Sequence, residues 1–155
     1  VFITIFMSDM VRNMVDNLIS PRHYLDRRPP VVSPAIGNME RGDLATAQKQ
    51  LDALLEEMPD SPYLCNVRFK FFLDFCKNEL AAIDEVERYF SQPKRIAATE
   101  NAPLLLRYSE LAVTNGKIEL CKAMISRELK LFRRCYSKRD RELLRNRVIA
   151  LAAEK

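Results

Sequence analysis

Apolar residues return at three- and four-residue spacing through most of this chain, and the breaks between the runs fall at proline, glycine and asparagine. Ser8 stands as an N-cap before Met10, Val11, Met14, Val15, Leu18 and Ile19, and Pro21 closes the run. Residues 8–20 therefore read as an amphipathic helix. Residues 21–34 (PRHYLDRRPPVVSP) hold four prolines and little period, the pattern of a linker or a wrapped arm. From residue 34 onward the spacing predicts helices in pairs: 34–41 with 43–57, 62–77 with 79–91, and 103–115 with 117–134. A last helix over 138–153 carries Leu143, Leu144, Val148, Ile149 and Leu151 on an apolar side suited to capping a stack.

The joints inside the pairs repeat. Gly42-Asp43-Leu44, Asn78-Glu79-Leu80 and Gly116-Lys117-Ile118 occupy equivalent places, separated by 36 and 38 residues. Glycine or asparagine at such a joint suits a left-handed turn between two helices. Helix-turn-helix units at periods of this size are the mark of helical repeats, which bury their apolar faces only by stacking. The fold expected is all-α: about three helix pairs in a solenoid, with an N-terminal helix and a C-terminal capping helix. Residues 1–33 form the arm and 34–155 the repeat domain.

The middle helix, YLCNVRFKFFLDFC, is apolar nearly all round. Leu64, Val67, Phe71 and Phe75 lie along one face, and Cys65, Phe69, Phe72 and Cys76 along others. Such a helix is either buried on every side or buried on one and binding a partner on another. Phe72 and Phe75 are the favoured exposed anchors.

The stretch GDLATAQKQLDALLEEMP resembles the second helix of a tetratricopeptide repeat, with Gly42, Asp43, Ala47, Leu51, Leu54 and Pro59 at the places that pattern wants. The third unit keeps Gly116, Cys121 and Ile125, with small Ser109 and Ala112 upstream, but has Glu128 where a small apolar residue belongs. The middle unit departs further, with Ile83 in place of alanine and Glu87 in place of a bulky apolar residue. An N-terminal helix, three pairs and a terminal helix also look like the type III secretion chaperones that cradle translocator proteins, although those are usually acidic. The resemblance implies a concave groove, lined by the first helix of each pair, that receives a protein or peptide segment. Carried over, the lining positions are Ile36 and Met39; Cys65, Arg68, Phe72, Phe75 and Cys76; and Leu106, Glu110, Val113 and Thr114. Arg68 and Glu110 would set polarity and register there. The role implied is an adaptor or chaperone, or a structural subunit that uses the same residues permanently.

Charge adds a rival. The net charge of +4 conceals 12 Lys/Arg against 5 Asp/Glu from Lys117 to Lys155, and 13 against 16 elsewhere. Arg133, Arg134, Arg139 and Arg141 are candidates for an anionic partner, including RNA or DNA, because helical repeats of the pentatricopeptide kind read bases and GKIELCKAMISREL has some of that look. The plain alternative is a solvated helix face with Glu128, Asp140, Glu142 and Glu154 interspersed.

Catalytic signals are sparse. His23 is the only histidine, and the chain has no glycine-rich phosphate loop, HExxH or GxSxG. Cys65, Cys76, Cys121 and Cys135 show no metal-ligand spacing and read as buried free thiols of a reducing cytosol. Glu56-Glu57 before Pro59 reads as a solvated pair. The opening VFITIFM is too short to span a bilayer and lacks a basic leader. The expectation is a cytoplasmic non-enzyme without metal or cofactor, with a homodimer through the Met10/Met14/Leu18 face as a further partner.

Overall fold

The structure is a computed structural model that describes residues 30–92 and 100–154. The helix expected over 8–20, its dimer face and His23 lie outside the described residues. Within them the protein is all-helical, with seven α-helices and no strand. These are α1 (Ser33–Glu40), α2 (Leu44–Glu57), α3 (Pro62–Lys70), α4 (Glu79–Phe90), α5 (Asn101–Thr114), α6 (Ile118–Leu131) and α7 (Lys138–Ala153). A π-helical turn, Phe71–Phe75, prolongs α3, and a 3-10 turn, Arg133–Cys135, precedes α7. No described helix is long and apolar enough to cross a membrane.

The helix starts are set by side chains that take up otherwise unpartnered backbone N–H groups. Asp43 accepts from Thr46 N at 3.3 Å, Ser61 from Leu64 N at 3.2 Å, Asn78 from Ala81 N at 3.1 Å and Ser137 from Asp140 N at 3.1 Å. Gly42 (φ 81°) and Gly116 (φ 69°) supply the left-handed turns between α1 and α2 and between α5 and α6. The middle joint differs from expectation: Lys77 takes the positive φ (53°), and Asn78 is extended and caps α4 instead.

Consecutive helices pack on one another, and α7 packs on α5 as well as on α6. The apolar interior forms two cores. Val32, Ala35, Met39, Ala47, Leu51, Leu64 and Phe71 make the smaller, around α1, α2 and α3. The larger runs from Cys65 and Phe69 through Ile83, Val86, Tyr89, Leu105 and Tyr108 to Ile125, Leu144 and Leu151. α3 belongs to both, with Leu64 and the following Phe71 on one side and Cys65 and Phe69 on the other. Its all-round apolarity is therefore burial between two neighbours for most of its length.

A methyl added at Gly42 or Gly116 meets nothing within 4 Å, so any cost there is backbone strain alone. Gly42→Ala and Gly116→Ala should each lose about 1–2 kcal/mol of stability in urea unfolding. Gly37→Ala, inside α1 and facing only the end of the Arg41 side chain at 3.4 Å, should instead gain up to about 1 kcal/mol.

Candidate functional site around the third helix

The face expected to bind a partner is organised by a buried charge. Arg68 is only 6% exposed. Its Nη1 donates to Asp52 Oδ1 on α2 at 2.8 Å, and its Nε lies 3.1 Å from Glu85 Oε2 on α4, close enough to pair but out of line for a hydrogen bond. Glu85, 2% exposed, also receives Arg88 Nε at 3.1 Å and Nη2 at 2.7 Å, while Arg88 Nη1 donates to Pro59 O at 2.7 Å. Two guanidinium groups and two carboxylates thus balance, tying α2, α3, α4 and the loop before α3 together. Arginine suits this position because its planar fork reaches partners in two directions, which a lysine ammonium does not.

This placement corrects the expectation for Arg68. It is an internal strap and not a groove residue that sets the register of a partner. Met39 is corrected likewise: it is buried in the smaller core, 5% exposed. Ile36 is half-buried against the same core.

The aromatic positions fare differently. Phe72 is half-buried and packs against both cores, with the Arg68 guanidinium 5.3 Å from its ring centre and the Phe71 ring 5.3 Å away. Phe75 is 41% exposed. The π turn is the local cause: Cys76 N donates to Phe71 O at 3.0 Å, one residue beyond α-helical spacing. Phe71 and Phe75, which an unbroken α-helix would set on one face, are split into a buried and an exposed ring. On α5, Leu106 and Val113 are half-buried against the larger core, and Glu110 and Thr114 are exposed. Arg107, which the sequence pattern did not single out, joins α5 to α3 with its guanidinium 4.9 Å from the Phe69 ring centre. Nothing in helical spacing marks an arginine for such a stack; only the approach of α3 and α5 does.

The two carboxylates that break the repeat pattern are both engaged. Glu87 accepts from Tyr108 Oη at 3.0 Å and from Lys117 Nζ at 3.0 and 3.3 Å, joining α4 to α5 and to the start of α6. Glu128 is 2% exposed and accepts from Tyr136 Oη at 2.7 Å. Both line a cleft of about 240 Å³ between α4 and α6, together with Phe90, Ser91, Leu120, Met124 and Arg127.

At the basic corner, Arg133, Arg134 and Arg139 are exposed. Arg141 is half-buried and donates to Arg133 O at 3.3 Å and Tyr136 O at 3.2 Å, so it holds the 3-10 turn in place. The aromatic residues there are turned inward, Phe132 half-buried and Tyr136 buried, so the corner offers charge without an exposed ring for base stacking.

Of the thiols, Cys65 and Cys121 are buried, Cys76 is half-buried and Cys135 is exposed, which corrects the expectation of four buried ones. All four are free. Burial holds the Cys65 thiol well above the ordinary range and pushes Cys121 up to about 11. Burial, then the neighbouring Glu87 carboxylate, raises the Tyr108 phenol. Among the described residues no group of three or more His, Cys, Asp or Glu is placed to hold a metal ion. Compared with protein-family profiles, curated proteins and solved structures, the chain matches none.

Removing Glu85 leaves the buried Arg68 guanidinium with the exposed Asp52 alone. Glu85→Gln should cost about 3–5 kcal/mol in urea unfolding, whereas Arg68→Met/Glu85→Leu should recover most of that loss. The raised Cys121 thiol makes stability fall in alkali. Its contribution is complete below the ordinary value of 9.0, where folded and unfolded thiols are both protonated, and is lost as pH rises through about 11. A Cys121→Ala variant should show a shallower fall in thermal midpoint over that window than the parent.

Proposed function

We propose that this chain is a protein-binding adaptor or chaperone of the tetratricopeptide-like type, in which three helix pairs stack and α7 caps them. A segment of a partner protein lies along the face of α3 and α5, with Phe75 as its main anchor. Phe72, Leu106 and Val113 contribute partly buried apolar surface, and Ile36 extends the face toward α1. Glu110 is the polar contact at its edge, and Arg107 takes the place first assigned to Arg68.

One observation carries this reading. α3 is buried on both sides by two cores, yet its π-helical end turns a phenylalanine outward to 41% exposure. An exposed ring at the end of an otherwise buried helix costs solvation, and π turns recur where a helix has been adapted to a function. Half-buried neighbours around an exposed aromatic anchor are the usual composition of a binding hot spot. The nucleic-acid reading would place the partner at the basic corner, where charge alone predicts non-specific, steeply salt-dependent binding.

Phe75→Glu tests the proposal, because an exposed position tolerates the change without disturbing either core. Capture of partners by the full chain should yield a protein retained by the parent and lost by the variant at unchanged helical circular dichroism. Once that partner is purified, Phe75→Ala should weaken it by about 2 kcal/mol, roughly 30-fold, with a shallow dependence on salt. Equal capture by parent and variant sinks the groove reading.

A further inference from the structure

The two ends of the described chain carry opposite charge. Residues 40–60, from the end of α1 through α2 to the loop after it, hold six Asp/Glu and two Lys/Arg. Residues 127–147, from the end of α6 through most of α7, hold nine Lys/Arg and three Asp/Glu. Of these charges, Glu40, Asp43, Glu56 and Glu57 are exposed at one end, and Arg133, Lys138, Arg139 and Arg145 at the other.

Among the described residues, the basic end also carries exposed apolar surface. α7 buries Leu144 and Leu151 against α5 and α6. On its opposite side Arg145, Ile149 and Ala153 follow at helical spacing and are all exposed, Ile149 at 69%. Leu131, at the end of α6, is 58% exposed. A terminal helix that only caps a stack is expected to be polar on its outer side. This one mixes arginine with isoleucine and alanine, the composition of a surface that meets something acidic and partly apolar.

We propose that a second copy of this chain docks there, the acidic outer face of α2 in one copy against the basic, Ile149-bearing face of α7 in the next. A second copy is favoured over an unrelated acidic protein because each molecule already carries the complementary surface. Charge complementarity of this kind steers encounter and sets orientation. The contact joins different surfaces of the two copies, so it builds open chains or rings instead of closing at two. It is independent of the partner-binding reading for α3 and α5.

Two variants of the full chain test it: Glu56→Lys/Glu57→Lys and Arg139→Glu/Arg145→Glu. Lysine at the end of α2 and glutamate at 139 in the first turn of α7 both suit the helix dipole, position 145 is exposed in mid-helix, and helical circular dichroism checks each variant. Sedimentation velocity of the parent should show concentration-dependent species at about 0.1 M salt that dissociate at about 1 M, where the screening length falls from about 10 to about 3 Å. Each variant alone should associate more than about tenfold more weakly. Mixed together they should associate again, because the untouched acidic face of one meets the untouched basic face of the other. A parent that stays monomeric at low salt overturns the proposal. So does association that neither variant weakens, or a mixture that stays inert.

Discussion

A single helix has to satisfy two neighbours at once, and most of this architecture follows from that demand on α3. Leu64 and Phe71 fill the small core beneath α1 and α2, while Cys65 and Phe69 fill the large one shared by α4 to α7. Neither core has another helix that reaches both. Arg68 makes the junction definite, because a guanidinium only 6% exposed has to find carboxylates, and the carboxylates within reach stand on the helices to either side. Hydrophobic burial alone would let α2 slide on α3 and α3 on α4, since apolar contact is non-directional. The charged strap fixes which residues meet. Its net contribution to stability is small beside the cost of leaving any member unpaired.

The same logic accounts for the glutamates at positions 87 and 128. Where a regular helical repeat would use apolar residues at positions 87 and 128, this chain uses glutamates, and each has become a hydrogen-bond acceptor for a tyrosine. Tyr108 and Tyr136 bring the ring area an apolar core needs together with a hydroxyl to satisfy the carboxylate. Lys117 adds the compensating charge at Glu87. These two glutamates thus make specific polar junctions, Glu87 joining α4 to α5 and α6 and Glu128 joining α6 to the turn before α7.

What is left at the surface is selective. The rings of Tyr89, Tyr108, Phe69 and Phe71 are fully buried, whereas Phe75 is turned out by the π geometry of its own segment. The proposed partner face and the proposed self-association surface lie on different elements and rest on different physics. The first depends on an aromatic anchor amid half-buried apolar neighbours and is only weakly screened by salt. The second depends on opposed charge, with Ile149 adding apolar area, and is strongly screened.

The helices were legible in the sequence because local rules set them. Apolar spacing marked all seven, five of them within two residues at both ends; the run expected over 62–77 is α-helical only to Lys70 before its π turn, and the one expected over 117–134 stops at Leu131. Gly42 and Gly116 stand where left-handed turns occur. The exposure of Phe75 was also within reach of pattern reasoning, as was that of Arg133, Arg134 and Arg139, whereas Phe72, expected to be exposed beside Phe75, is half-buried. Three other things were not legible. Arg68 looked like a surface residue, since periodicity reports a residue's side of a helix and not what stands opposite it; Asp52 and Glu85, 16 and 17 positions away in sequence, turned it into an internal strap. Met39 sits on the side of α1 that the fold happens to cover. Arg141 lies in a basic run that reads as solvated until the α6–α7 turn brings carbonyl groups to it. The sequence by itself determined where helices begin, end and turn, because capping, backbone strain and amphipathic spacing act within a few residues. Only the tertiary structure decided which polar side chains are buried, because that depends on partners that distant segments bring within hydrogen-bonding range.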